Sequence, residues 1–212
     1  MPGYHKYVFD LVKRRFVGRF EEMYQAERQE GFDSWHQDDL NARVDVELCQ
    51  RLLGGRSYST LIDLGCGKGA LTATLAASAQ KAVGFDISMT AIKIAESRYP
   101  NIEFHTLDIA DPEEVSYALL RYIVDRDAEN VVVLAQVLSY LENWRELLRA
   151  ISLSSVDLLV LLYVPEDPIG YVKSMGELLD AVKDRFGEMI YEQSTDAQVA
   201  ILARSRRKVE SV

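Results

Sequence analysis

The stretch Leu61-Ile62-Asp63-Leu64-Gly65-Cys66-Gly67-Lys68-Gly69-Ala70 decides the fold class of this chain. It is typical of an apolar strand with an acid near its end, followed by a turn in which every second residue is glycine. Glycines at positions 65, 67 and 69 let the backbone bend sharply and approach a ligand without an intervening side chain. A helix that starts after such a turn points its free N–H groups and the positive end of its dipole at the ligand. The stretch therefore predicts a cofactor-binding turn and leaves the identity of the cofactor open.

Short apolar runs alternate with helix-like segments along the chain from Thr60 onward. Parallel strands that helices cover on both faces have this continuous apolar pattern. Two final runs, Gly187–Ser194 and Gln198–Arg204, are close enough in sequence to predict an antiparallel hairpin. We expect an α/β fold: a Rossmann-like parallel sheet with helices on both faces, closed by a C-terminal hairpin. The parallel strands are predicted at Thr60–Leu64, Lys81–Asp86, Ile102–Leu107, Asn130–Ala135 and Asp157–Tyr163.

The segment that precedes the first strand has a helical pattern. Two helices are predicted, at about Tyr7–Gln29 and Asp38–Leu53, and the aromatic linker Gly31–His36 joins them. The ligand crevice of this fold is open at the strand ends, so a preceding helical segment is a natural lid. We therefore predict that residues 1–54 form a helical lid over the substrate and that residues 55–212 form the cofactor-binding domain.

The overall charge argues against a nucleic acid as partner. The chain has 33 acidic and 24 basic side chains and a net charge of -9, whereas phosphate backbones are usually met by basic surfaces. The two cysteines, Cys49 and Cys66, do not have the spacing of a disulfide framework or a metal site. The N-terminus lacks the pattern of a signal peptide, and the most apolar run, Leu158–Val164, is too short to span a bilayer. We expect a cytoplasmic protein with no membrane insertion and no bound metal.

The glycine turn alone fits two kinds of cofactor. Gly65-x-Gly67-x-x-Ala70 satisfies the dinucleotide pattern, and Asp86 stands where a ribose-binding acid is expected. Asp63, before the turn, favours a cationic or amino-bearing ligand over a pyrophosphate. Asp108, after the third strand, can accept a hydrogen bond from an exocyclic amine such as that of adenine. We also expect no separate substrate domain of the kind that a nicotinamide dehydrogenase needs, because the hairpin ends the chain.

Taken together, these residues resemble the class I S-adenosylmethionine-dependent methyltransferases, from about Thr60 to Arg204. The resemblance implies a seven-stranded sheet of order 3-2-1-4-5-7-6. It also implies S-adenosylmethionine as the cofactor and S-adenosylhomocysteine as its product. The four segments that resemble the motifs of the family are Leu61–Gly69, Val83–Ser88, Phe104–Ile109 and Val132–Leu141.

The resemblance also assigns roles to residues at the strand ends. Asp63 and the turn glycines line the methionine part of the cofactor, and Gln136 lies near the same end. Asp86 takes both ribose hydroxyls. Ile87 packs against the adenine, and Asp108 binds the adenine amine beside the Ile109 backbone. The cofactor-binding residues predicted in this way are Asp63, Gly65, Cys66, Gly67, Asp86, Ile87, Asp108, Ile109 and Gln136.

Two residues are candidates for catalysis. His36, in the aromatic linker, is either a general base or a packed surface histidine. Tyr140, after the fourth strand, lies either on the acceptor side or in the core. The segment Ser34–Gln37, followed by Leu40 and Arg43, resembles nodulation-type N-methyltransferases, which act on acylated sugars. We therefore expect a small-molecule or glycan-like acceptor that is methylated on nitrogen or oxygen by in-line attack.

Two other functions stay open at this point. An NAD-dependent oxidoreductase fits the dinucleotide pattern of the turn. A non-catalytic protein that binds S-adenosylmethionine for regulation fits Gln136 and Tyr140, because the family often has an acid and a histidine at these positions. Binding of S-adenosylhomocysteine compared with NADH distinguishes the first of these from a methyltransferase.

Overall fold

A computed structural model describes residues 5–38, 44–195 and 197–206 of the protein. Within these ranges a seven-stranded sheet forms the centre of the fold. Its strands are β1 Tyr58–Leu64, β2 Ala79–Asp86, β3 Glu103–Thr106, β4 Asn130–Ala135, β5 Asp157–Tyr163, β6 Met189–Thr195 and β7 Gln198–Ala203. Their order is β3-β2-β1-β4-β5-β7-β6, with β1 to β5 parallel and β7 antiparallel to both of its neighbours. The predicted fold class and strand order are confirmed, and every predicted strand end lies within two residues of the observed one.

Helices cover both faces of the sheet. Successive side chains of a strand point to opposite faces, and both faces are buried: Val132 of β4 belongs to one apolar cluster and its neighbour Val131 to another. No helix within the described ranges combines the length and the apolar character needed to cross a bilayer. The helices are α1 His5–Val8, α2 Phe20–Glu30, α3 Val44–Leu53, α4 Ala70–Leu75, α5 Met89–Arg98, α6 Pro112–Tyr122, α7 Trp144–Ser152 and α8 Met175–Lys183, and a small hairpin pairs Phe9–Asp10 with Arg15–Phe16.

The N-terminal segment differs from the two predicted helices. The first prediction, Tyr7–Gln29, is wrong in its first half, because the small hairpin separates α1 from α2. The chain reverses there: the Asp10 carboxylate accepts a hydrogen bond from the Lys13 N–H at 3.0 Å, and Arg14 has a left-handed φ of 48°. The second helix begins at Val44, and residues 39–43, which include Leu40 and Arg43, lie outside the described residues.

Residues 5–38, which we name the strap, lie across the carboxyl ends of β1 and β2, next to the glycine turn. The contact is ionic as well as apolar. Lys68 of the turn is completely buried, and its ammonium contacts the carboxylates of Glu27, Asp33 and Asp38, with the last two at 2.8 Å. Burial alone would lower the pKa of Lys68, but its hydrogen bonds to these carboxylates raise it above its usual value. Lys68 is therefore a buried cation that fastens the strap to the turn.

A second polar contact joins the strap to the start of α5. The Glu21 carboxylate accepts hydrogen bonds from the hydroxyls of Ser88 and Thr90, both at 2.6 Å, and from the Thr90 N–H at 3.1 Å. Burial works to raise the pKa of Glu21, but these hydrogen bonds lower it to about 2. The strap is thus fixed at two neighbouring strand ends, after β1 and after β2.

Replacing Lys68 by Met tests the ionic contact. The change leaves the buried Glu27 carboxylate without its cation, so we expect the free energy of unfolding to fall by about 3 kcal/mol, measured by urea denaturation. Lys81→Met is the matched control, because Lys81 pairs with Glu103 at 2.7 Å while both side chains are about half exposed. An exposed pair of this kind contributes less than about 1 kcal/mol. Equal losses in the two variants would contradict a special role for Lys68.

Candidate cofactor and acceptor site

A cavity of about 300 Å³ lies between the strap and the ends of the parallel strands. Eight of the nine predicted cofactor residues line it; the exception is Gly67, which lies beneath the strap. Of the two predicted catalytic residues, Tyr140 lines the cavity and His36 does not. The lining residues used below are Phe16, Phe20, Tyr24, Trp35, Gln37, Asp63, Gly65, Cys66, Asp86, Ile87, Asp108, Ile109, Gln136, Val137 and Tyr140.

The glycine turn needs glycine for two reasons. Gly65 and Gly67 have φ angles of 84° and 55°, in the left-handed region that favours glycine. A Cβ on Gly65 would collide with Cγ1 of Val137, and one on Gly67 would collide with the side-chain oxygen of Gln37. The Gln37 side chain also accepts a hydrogen bond from the Lys68 N–H at 2.7 Å. The strap therefore rests directly on the backbone of the turn.

The neighbouring thiol is packed inside this turn. Cys66 is buried, and its N–H donates to the Phe85 carbonyl at 2.8 Å, which holds the turn against the end of β2. Burial raises the pKa of the Cys66 thiol, and the negative charges of Asp86 and Asp63 raise it further. The thiol stays protonated at neutral pH, so Cys66 shapes the wall and is unsuited to be a nucleophile.

Asp86 ends β2 with its carboxylate held in place. One oxygen accepts a hydrogen bond from the Gly67 N–H at 2.9 Å, and the other accepts one from the Ser88 N–H at 2.8 Å. Burial raises the pKa of Asp86 to about 6, although the two hydrogen bonds work to lower it. Each carboxylate oxygen can accept a further hydrogen bond, so the group can still receive hydroxyls from a ligand in the cavity.

Asp63 has an unused oxygen. Its Oδ2 accepts a hydrogen bond from the Thr72 hydroxyl at 2.6 Å, while its Oδ1 is buried and has no hydrogen-bond partner in the described part of the chain. Burial raises the pKa of Asp63 to about 7, with a further contribution from the charge of Asp86. Buried polar atoms are nearly always paired. An unpaired carboxylate oxygen on a cavity-lining residue therefore indicates where a donor from a ligand belongs.

The ends of β2 and β3 supply the other predicted contacts. Asp108 is exposed, and its Oδ1 accepts a hydrogen bond from the Ala110 N–H at 2.9 Å, which fixes the carboxylate at the cavity edge. Ile109 is buried, whereas Ile87 exposes 49% of its surface. A half-exposed isoleucine on a cavity wall is an apolar surface that a planar ring can cover.

Gln136 turns the chain at the end of β4. It has a left-handed φ of 61°, its backbone N–H donates to the Leu161 carbonyl at 2.7 Å, and its side-chain oxygen accepts from the Tyr163 N–H at 2.9 Å. The side chain is thus tied to the end of β5. Gln136 lines the cavity and holds the two strand ends together, and its place near the methionine end of a cofactor stays a prediction.

Five aromatic rings form one side of the cavity; we name Phe16, Phe20, Tyr24, Trp35 and Tyr140 the aromatic wall. Tyr140 stands at its centre. The Tyr140 ring stacks on Phe16, with centroids 5.6 Å apart, and its centroid lies 5.5 Å from that of Phe20 and 6.3 Å from that of Trp35. Four of the five rings belong to the strap, so the strap supplies most of this surface.

His36 does not line the cavity. Its side chain is exposed, whereas that of the preceding Trp35 is half-buried in the aromatic wall. Both residues have left-handed φ angles, of 53° and 55°, within the single helical turn Ser34–His36. The structure therefore brings Trp35 and Tyr140 to the cavity and leaves His36 outside it.

Several residues of the site were not predicted from the sequence. Glu21, Gln37 and Lys68 have no local signal, because charged and amide side chains are usually solvated. Phe20 and Tyr24 do have one, since they stand four residues apart and so lie on one face of α2. This spacing could have indicated which face of α2 is turned toward the cavity.

Comparison with known proteins identifies the family. A family model described as a methyltransferase domain matches residues 28–187. The chain is also 32% identical, over 81 residues, to a putative methyltransferase, 235L, of Invertebrate iridescent virus 6. That match covers 34% of this chain and spans only 31% of the length of the viral protein.

Solved structures share the fold at low sequence identity. The PH0226 protein from Pyrococcus horikoshii OT3 has a TM-score of 0.65 and 15% identity, over 85% of this chain and 99% of that one. The N-methyltransferase NodS from Bradyrhizobium japonicum WM9, solved with S-adenosyl-L-homocysteine, has a TM-score of 0.62 and 20% identity, over 86% and 98% of the two chains. The chain belongs to the methyltransferase-domain family.

Proposed function

We propose that the enzyme transfers a methyl group to a nitrogen or oxygen atom of a small acceptor, which enters the cavity beside the aromatic wall. The observation that carries this proposal is the buried pair Asp63 and Asp86, of which Asp63 keeps an unpaired oxygen. A cofactor that carries both an ammonium group and ribose hydroxyls offers donors for the two carboxylates. The residues present thus fit S-adenosylmethionine.

Each cofactor role follows from the chemistry of the side chain. The unpaired oxygen of Asp63 is the acceptor proposed for the ammonium group, and Asp86 is the acceptor proposed for the ribose hydroxyls. Ile87 offers the adenine ring an apolar surface. The exposed carboxylate of Asp108 accepts from the adenine amine, beside Ile109. Because these four contacts differ in their chemistry, they determine the orientation in which the cofactor binds.

The protein itself has little covalent chemistry to perform. When bound, the cofactor supplies a methyl group that its positive sulfur already activates for in-line attack. Holding the acceptor in line with that methyl group is therefore the main task of the protein. The strap encloses the cavity and Tyr140 lies at the centre of its aromatic wall, so we propose Tyr140 as the residue that contacts the acceptor. His36 is exposed, and its role as a base stays a prediction.

The alternatives are less well supported. Membership of the methyltransferase-domain family argues against the NAD-dependent oxidoreductase, although the glycine pattern fits it. A regulatory protein without catalysis would not need an enclosed acceptor surface. The aromatic wall, which lines the same cavity as the predicted cofactor residues, therefore favours an enzyme. The likeness to NodS supports a nitrogen acceptor, and the glycan-like acceptor stays a proposal that rests on the same likeness.

We also propose a cytoplasmic location. Cys49 and Cys66 are both buried, and they form no disulfide with each other. Reduced thiols are usual in the cytosol, whereas proteins of oxidising compartments usually carry disulfides.

Replacing Asp86 by Asn tests the ribose contact. We expect the affinity for S-adenosylhomocysteine, measured by calorimetry, to fall about tenfold or more, because the ribose loses a charged acceptor and the Asn NH2 cannot accept one of the two backbone N–H bonds that now hold the carboxylate. Asp111→Asn is the matched control: it makes the same change at the exposed N-terminus of α6, and asparagine caps a helix as well as aspartate does. Tight binding of NADH to the wild type, without binding of S-adenosylhomocysteine, would overturn the proposed function.

The raised pKa of Asp63 makes a prediction about pH. With a pKa of about 7, the carboxyl is mostly protonated at pH 6 and mostly ionised at pH 8. Only the ionised form attracts an ammonium group strongly, so we expect the affinity for S-adenosylhomocysteine to rise about tenfold over this range. The variant Asp63→Asn cannot titrate but can still accept the hydrogen bond from Thr72. Its affinity should change by no more than about twofold, the part that Asp86 contributes with its pKa of about 6. An unchanged pH dependence would exclude Asp63 as the ammonium contact.

A further inference from the structure

The charges on the cavity wall have one sign. Its charged lining residues are the three acids Asp63, Asp86 and Asp108, and no lysine, arginine or histidine of the described chain lines it. S-adenosylmethionine carries one net positive charge, so the filled cavity remains negative when the three acids are ionised. A positive group is therefore favoured in the space beside the cofactor, and a negative group is disfavoured.

Three basic side chains of the strap and the turn, those of Arg14, Arg19 and Lys68, are engaged outside the cavity. The Arg14 guanidinium pairs with Asp167 at 2.6 Å, and Lys68 is surrounded by its own carboxylates. Arg19 pairs with Glu22 at 3.4 Å and lies over the ring of Tyr7. The methionine part of the cofactor brings its own ammonium group beside its carboxylate, whereas a phosphate or carboxylate of the acceptor would meet no cation on the lining. Enclosing an unpaired anion in this way is strongly unfavourable.

The aromatic wall complements the charge. A cation within about 6 Å of a ring centroid is attracted by the negative face of the ring. The centroids of Phe16 and Phe20 both lie within 5.6 Å of the Tyr140 centroid, and that of Trp35 lies at 6.3 Å. One small group placed against Tyr140 can therefore interact with several rings at once. Clustered rings of this kind suit alkylated ammonium groups in particular.

We propose that the acceptor is an aliphatic amine that binds as its ammonium form against the aromatic wall and carries no phosphate or carboxylate on its enclosed part. This assignment rests on the proposed function and adds the substrate class to it. Before transfer, the ammonium nitrogen gives its proton to water. Its lone pair then forms the bond to the methyl carbon, and the electron pair of the breaking carbon–sulfur bond stays on sulfur.

The first experiment compares three probes on protein saturated with S-adenosylhomocysteine. Choline carries the cation, 3,3-dimethylbutan-1-ol has the same shape without the charge, and phosphocholine adds a phosphate. Calorimetry should show choline binding at least about fivefold more tightly than the uncharged alcohol, and phosphocholine more weakly than choline. Trp35 provides a second signal, because its fluorescence should respond to choline while the buried Trp144 gives a constant background.

Substitutions at Tyr140 assign the effect to the wall. Tyr140→Phe keeps the ring and should keep the preference for choline, whereas Tyr140→Leu should lose most of it and bind the alcohol with little change. S-adenosylhomocysteine binding checks that each variant is folded. Equal binding of choline and the alcohol to the wild type, tighter binding of phosphocholine, or no choline binding at millimolar concentration would overturn the proposal. Failure to bind S-adenosylhomocysteine would instead count against the proposed function.

Discussion

The architecture of the site depends on one buried ammonium group. Lys68 extends from the glycine turn into the strap and is enclosed there by Glu27, Asp33 and Asp38. Removing a lysine from water costs several kcal/mol, and only well-placed carboxylates offset that cost. The cation comes from the turn and the anions from the strap, so the buried ammonium of Lys68 and the buried carboxylate of Glu27 each depend on the other for charge compensation. The cofactor turn and the surface proposed for the acceptor are in this way parts of one electrostatic unit.

Inside the cavity the buried ionisable groups are acids, and they too need a partner of opposite charge. Asp63 and Asp86 are carboxylates that burial makes reluctant to ionise, and no lysine or arginine of the described chain lines the cavity beside them. The buried cation, Lys68, therefore fastens the strap, and the acids of the cavity remain available to ligands. A cofactor with a positive sulfur and an ammonium group supplies the charge that the wall lacks. The charges of the ion cluster around Lys68 thus compensate one another within the protein, whereas those of the cavity acids require a ligand.

Much of the sheet could be predicted from the sequence, because strands buried on both faces leave a continuous apolar signal. Asn130–Ala135 and Asp157–Tyr163 are observed with the predicted bounds. The acids at strand ends were also found, since their positions follow from the pattern of the fold. The resemblance to a known family supplied what the pattern could not, namely the strand order and the cofactor.

The strap could not be predicted in the same way. Its partners are distant in sequence: Lys68 bonds Glu27 across 41 positions, and Ser88 bonds Glu21 across 67. Charged residues such as Glu27 and Lys68 are normally solvated, so a reader of the sequence places them on the surface. The helical pattern of residues 7–29 also concealed a turn that depends on one side-chain hydrogen bond, from the Lys13 N–H to Asp10. His36 and Trp35 are neighbours in sequence, and only the local backbone decides which of them faces the cavity.

The long sequence separations between the strap and its partners also determine the order in which parts of the structure form. During synthesis the strap is made before its partners Lys68, Ser88 and Tyr140. Tyr171, whose ring packs against that of Phe16, is made after all three. Until those residues have been made, the rings of the strap lack the central ring of Tyr140, and Glu27 and Asp33 lack the ammonium group of Lys68. Contacts of such long sequence separation form late in folding, because a long loop must first be closed. The aromatic wall is therefore among the last parts of the molecule to form, after the sheet that carries the glycine turn.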